Sequence, residues 1–256
     1  MLKTQNLDIG YTHKGKNNTI VSNINVTVNK GNLIALIGVN GSGKSTLIKT
    51  LLKFNKYLKG EIYLNNKELN EFSNRELAEN ISYVSSKLTE QNNITVKELI
   101  SLGRMPYTSW FGTLSKEDDI IVNNIIDSLF IGHLTNKQLN NLSDGEKQKV
   151  FVARALAQNT DLIILDEPSS HLDLPNKYDL IKVLKDLTRK QNKAIIFSTH
   201  DLNIAFSNAD IIWFIQNNEL IFDIPSEIIK HKNFIQIFNN SSLSEQEQKQ
   251  IIDSLL

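Results

Sequence analysis

The stretch Gly38-Val39-Asn40-Gly41-Ser42-Gly43-Lys44-Ser45-Thr46 constrains this chain more than any other. Before it lies Leu33-Ile34-Ala35-Leu36-Ile37, an apolar run of strand length. After it, Leu47 to Lys53 places apolar residues at helical spacing. Strand, glycine loop and helix in that order fit the pattern GxxxxGK[ST]. The glycines let the backbone curl until successive N–H groups point into one hollow, and the helix start adds a partial positive charge. A polyphosphate fits such a hollow, with Lys44 reaching the β- and γ-phosphates and the Ser45 hydroxyl ligating Mg²⁺. A glycine-rich turn that merely precedes a helix is the alternative, and the flanking strand and helix argue against it.

The rest of the composition narrows the class of partner. The 256 residues carry 28 Lys plus Arg against 28 Asp plus Glu, so no net field draws the protein to nucleic acid, which is not expected as a partner. Cysteine is absent, which excludes disulfides and zinc-thiolate sites. Met1 to Asp8 lacks the form of a signal peptide, and no apolar run approaches the roughly 20 residues of a membrane span. If the chain works at a membrane, a partner brings it there.

Around the glycine loop, short β-like stretches at Leu2–Ile9 and Ile20–Val28 predict an antiparallel edge sheet. Tyr11 follows the first of them, where its ring either stacks on a base or packs half-buried. Ile81-Ser82-Tyr83-Val84 reads as a core strand with the polar exit Ser85-Ser86-Lys87. From Thr95 to Phe130 the texture is helical, interrupted by Gly103 to Gly112, whose Tyr107, Trp110 and Phe111 form either a docking surface or a packed corner. Leu142-Ser143-Asp144-Gly145-Glu146 opens the next helix. Ser143 and Glu146 make a capping box, and the same helix start also presents N–H groups able to hold a phosphate.

Two further strands end in chemistry. Asp161 to Pro168 is an apolar run closed by Asp166 and Glu167, the form of a buried parallel strand whose carboxyl end meets a ligand. In P-loop enzymes that end faces the phosphates, so Asp166 would bind Mg²⁺, directly or through water, and Glu167 would polarise the water that attacks the γ-phosphorus; a pair of turn carboxylates is the alternative. Ala194 to Asp201 repeats the design with His200 at the tip, placed to touch the γ-phosphate. Ile211–Ile215 and Glu219–Ile224 around Asn217-Asn218 predict a hairpin.

The glycine loop, the LSDGE segment, the apolar run with Asp166-Glu167 and the strand-end His200, in that order, resemble the ATP-binding subunit of ATP-binding cassette (ABC) transporters. The resemblance spans nearly the whole chain. It implies an α/β fold: a P-loop NTPase with a RecA-like parallel sheet core, an antiparallel β edge subdomain and an inserted α-helical subdomain at about 87–157. The domain would run over 1–240, with a tail at 241–256. It also implies MgATP as ligand and Tyr11 as the adenine-stacking aromatic, beside the loop residues Gly38 to Thr46. Ser143 and Gly145 would contact, in a homodimer formed on ATP, the nucleotide held by the other chain, and Ser169 to Asp173 would join the two. The implied partners are an integral-membrane permease and, indirectly, a substrate-binding protein, with the chain peripheral at the cytoplasmic face.

Two motifs depart from the family pattern. Asp144 and Glu146 stand where LSGGQ is usual, and Ser86 stands where a Mg²⁺-ligating glutamine is usual, with Gln91 five residues on. A carboxylate at Asp144 favours the helix dipole yet repels an incoming γ-phosphate unless it points away. Within the family, Leu99 to Tyr107 is similar to importers of iron-siderophores, haem and cobalamin, which implies that the helical subdomain docks a permease helix and favours the docking reading of Tyr107, Trp110 and Phe111, with a charge swap at Arg104 as its test. A soluble cassette ATPase without permease, acting in cofactor assembly or repair, and a nucleotide sensor without turnover are the competing readings.

Overall fold

The computed structural model describes residues 1–85, 93–108, 113–232 and 234. Ser86, Gln91, Trp110, Phe111 and the tail at 241–256 therefore lie outside the described residues. In chain order the elements are β1 (Leu2–His13), β2 (Lys16–Ile24), β3 (Thr27–Val28), β4 (Leu33–Gly38), α1 (Lys44–Leu51), β5 (Lys59–Leu64), β6 (Lys67–Glu68), α2 (Asn74–Asn80), β7 (Ile81–Val84) and α3 (Val96–Ser101). There follow α4 (Lys116–Ser128), α5 (Asp144–Ala157), β8 (Leu162–Leu165), α6 (Leu174–Gln191), β9 (Ala194–Ser198), α7 (Leu202–Asn208), β10 (Ile211–Gln216), β11 (Glu219–Asp223) and α8 (Pro225–Ile228). They fall into two compact units: Met1–Phe72 with the chain from Ile196 onward, and Ser73–Ile195.

The first unit contains the antiparallel sheet, ordered β2-β1-β5-β6 with β3 beside β1. The first strand is longer than its alternation suggests. It runs through Tyr11 to His13 and pairs His13 with Lys16 across a Lys14-Gly15 turn. Register shifts between Leu7 and Ile9 and between Ile9 and Gly10 interrupt the two-residue period, which is why the sequence pattern stops at Ile9. Tyr11 is thus a strand residue and not a loop residue.

The same unit holds β4, parallel to β10, with β11 antiparallel to β10. Leu33 to Ile37 are all buried, as a parallel strand covered on both faces requires. The predicted hairpin is present, its Asn217 and Asn218 at φ 50° and 64° giving the left-handed pair that a two-residue turn needs. Leu47, Ile48 and Leu51 of α1 are fully buried, each stabilising the fold by about 1.5–3 kcal/mol. Phe234 closes this core against Phe206 and Phe214, with ring centroids at 5.1 and 5.6 Å.

In the second unit β7 lies parallel to β8, whose Leu162-Ile163-Ile164-Leu165 are all buried. The start of β9 is fixed by Ala194 N–H donating to Asp161 O at 2.8 Å. The expected helical segment at 87–157 contains α3, α4 and α5, and the compact unit adds α2, β7, β8 and α6 to them. Four helices of this unit, α2, α3, α4 and α5, open with a capping box, respectively Ser73/Glu76, Thr95/Glu98, Ser115/Asp118 and Ser143/Glu146. Each such cap contributes about 1 kcal/mol.

In the described part of the Gly103–Gly112 segment, Arg104 packs inward, while Trp110 and Phe111 lie outside the described residues. Arg104 is 6% exposed; its Nε donates to Asp118 Oδ1 at 2.7 Å, its Nη1 to Ala157 O at 2.8 Å, and its guanidinium lies 4.2 Å from the Tyr107 ring centre. A charge so enclosed does not face a partner, so the expected docking contact at Arg104 is replaced by an internal staple. Leu102, Met105 and Tyr107 on the same 3₁₀ turn remain exposed. Among the described residues no helix is long and apolar enough to cross a membrane.

Candidate nucleotide-binding site

The glycine loop joins β4 to α1 within the first unit. Gly43 caps α1 at φ 113°, ψ 6°, a left-handed conformation, and offers no side chain to the free N–H groups of the first turn. A Cβ at Gly43 would come within 2.7 Å of Ile20 Cγ2, so glycine is required by packing as well as by φ. The helix start is therefore left to a ligand, and its dipole favours an anion.

Lys44 folds back over this hollow. It is 6% exposed, and its Nζ donates to Gly38 O at 2.7 Å and to Val39 O at 3.3 Å. A buried ammonium held by loop carbonyls is a cation already in place for phosphate oxygens. Ser42 Oγ is buried with no hydrogen-bond partner among the described residues, an orphan polar atom in the same loop. Ser45 is exposed at the helix start, whereas Thr46 is buried and lies 3.0 Å from Tyr11 Oη through its Oγ1. The pairing of Tyr11 with Thr46 was not legible in the sequence, because no local pattern links residues 35 positions apart.

His200 stands in the same unit. Thr199 N–H donates to Leu36 O at 3.2 Å, which sets the end of β9 beside β4 as that strand enters the glycine loop. Asp201 then caps α7 by accepting from Ile204 N–H at 3.1 Å, and the exposed imidazole sits between these two anchors.

The second unit holds the carboxylates. Asp166 is 3% exposed, at the end of β8, with its N–H donating to Val84 O at 2.9 Å. Glu167 follows at φ 51°, a left-handed conformation that costs a side-chain-bearing residue about 1–2 kcal/mol. Strain of this kind persists where the surroundings enforce it, and it turns the Glu167 side chain out of the alternation of β8. The sequence carried no signal for this φ.

The LSDGE segment is built as its capping box predicts. Glu146 accepts from Ser143 N–H at 2.8 Å, and that backbone bond, with the Ser143 hydroxyl, holds the Glu146 carboxyl below the usual range. The Asp144 side chain is 72% exposed and 3.7 Å from Lys147 Nζ, directed along the helix surface. A Cβ on Gly145 would lie 3.2 Å from His171 O, so the segment packs on the Ser169–Asp173 turn. The first unit thus carries Tyr11, Gly38–Thr46 and His200, and the second carries Ser143, Gly145, Asp166 and Glu167.

A family model described as ABC transporter matches residues 21–170, more than half of the chain. The chain belongs to the ABC transporter family. Over 239 residues it is 34% identical to the achromobactin transport ATP-binding protein of Dickeya dadantii, covering 93% of this chain and 87% of that one. Its fold is similar to that of a metal-chelate type ABC transporter solved in an inward-facing conformation: TM-score 0.79, 28% identity, 93% of this chain and 88% of the other. It is also similar to an ATP-binding cassette solved as a dimer in a post-hydrolysis state with ADP and Pi: TM-score 0.77, 25% identity, 88% of this chain and 99% of the other. This ABC protein accordingly has the cassette fold of a P-loop NTPase, binds ATP and ADP, and is an ATPase.

Proposed function

We propose that this ATPase is the energising subunit of an importer for an iron-siderophore or related metal chelate, acting on a separate permease from the cytoplasmic face of the membrane. The roles of its relatives support the substrate class, and the exposed Leu102, Met105 and Tyr107 support a docking face beside the buried Arg104. The observation that carries the catalytic reading is the buried Asp166 followed at once by the left-handed Glu167.

In this reading Tyr11 stacks on the base while Lys44 and the loop amides neutralise phosphate charge. Ser45 and Asp166 are hard oxygen donors of the kind Mg²⁺ prefers and would hold it, and the ion would neutralise phosphate charge. Glu167 orients and polarises the attacking water, and His200 steadies the γ-phosphate. Ser143 and Gly145 of a second copy cover the nucleotide, so two chains form a homodimer with two sites. A substrate-binding protein delivers cargo to the permease.

The test is uptake. Vesicles that contain a chelate permease pairing with this chain, and that enclose the chain with MgATP, accumulate radioactive iron-siderophore, and Lys44→Ala abolishes the accumulation. ATP hydrolysis without chelate accumulation under any permease pairing contradicts the importer reading.

A further inference from the structure

The hydroxyl of Thr46 does something the phosphate-loop pattern does not require. Thr46 is the third residue of α1, 7% exposed, with Oγ1 3.0 Å from the phenol oxygen of Tyr11. The two register shifts of β1 come immediately before Tyr11, and irregularities of this kind re-aim the side chains that follow. Gly10 backs so closely on β2 that a Cβ would lie 2.0 Å from Asn18 O, which pins the strand pair at this level. The phenol is thus tied at its tip and held at its backbone, while 48% of the residue stays exposed. It borders a hollow of about 380 Å³, lined also by Phe54, Asn55 and Lys56.

We propose that Thr46 is a positioning residue for the nucleotide base: its hydroxyl holds the Tyr11 ring in the attitude on which the base stacks, at a fixed distance from the helix start that takes the phosphates. The inference rests on Tyr11 as the base platform. An exposed tyrosine untied at its tip samples several rotamers, and fixing it beforehand removes that ordering cost from binding. Phosphate hollow and base platform are then one rigid gauge, because the tie joins β1 to the first turn of α1 itself.

A double-mutant cycle on the full chain decides the matter, read as the equilibrium Kd for ATP and for inorganic tripolyphosphate. Thr46→Val and Tyr11→Phe each raise the Kd for ATP about two- to tenfold, the span of one net hydrogen bond. The double variant binds no more weakly than either single one, and Thr46→Ser restores the original affinity. Factors that multiply in the double variant overturn the proposal. So does an equal loss for tripolyphosphate in Thr46→Val, which would place the hydroxyl on phosphate. Tyr11→Ala separates the two layers: an unchanged Kd for ATP sinks the base-platform reading itself, whereas a raised Kd with multiplying factors sinks only the positioning role.

Discussion

Glu167 is where the cost of a single residue's conformation is most visible. A left-handed glutamate directly after a buried aspartate is expensive for the fold, and the expense is tolerated where a side chain must leave the line of its strand. Replacing Glu167 with glutamine keeps the shape and removes the base. Steady-state turnover of the purified ATPase should then fall by about 10²- to 10⁴-fold, the usual worth of a positioned general base, while the Kd for ATP changes little. A wild-type rate in that variant means that another group activates the water. Lys44→Ala should instead weaken ATP binding itself, measured by titration calorimetry, because it deletes a cation folded over the loop.

Among the elements, the join between α4 and the 3₁₀ turn before it depends on one ion pair. Arg104 and Asp118 have side chains 8% and 10% exposed, and breaking a buried pair by removing one partner costs about 3–5 kcal/mol. Arg104→Met and Asp118→Asn should each lower stability by about that much in denaturant melts, and the pair Arg104→Met with Asp118→Leu should recover a good part of the loss. The Ser115 backbone N–H, then the Arg104 guanidinium, hold the Asp118 carboxyl below its ordinary value. Its contribution is therefore complete above the unfolded carboxyl's pKa of about 3.9 and is lost as pH falls through the lower, folded value. Acid titration of stability should show this loss below about pH 4, and Asp118→Asn should remove it. The capping box at Ser143 and Glu146 was legible because it is local and spaced by helix geometry. The boxes of α2, α3 and α4 share that spacing, yet the Arg104 pair joins residues 14 apart across a turn, and no periodicity announces it.

Across the whole molecule, the order of motifs along the chain was legible because the glycine loop, Asp166-Glu167 and His200 each combine a strand exit with a charged or glycine-rich turn, where parallel sheets meet ligands, and LSDGE opens a helix with a capping box. What stayed hidden was the passage of β1 through Tyr11, since its bulges break the alternation that marks a strand, and the tie from Tyr11 to Thr46. The exposed, outward course of Asp144 bears on the departure from LSGGQ: a carboxylate 72% exposed and near Lys147 lies on the helix surface, whereas the Ser143 N–H is already taken by Glu146 in the capping box. Asp144→Gly should accordingly change ATP turnover by less than about fivefold, since an exposed ion pair of this kind contributes at most about 1 kcal/mol. If two copies share each ATP, as proposed, light scattering on the Glu167→Gln variant gives twice the mass of the chain with MgATP and the single mass without it; a single mass under both conditions, in a variant shown to bind ATP, rules the shared site out.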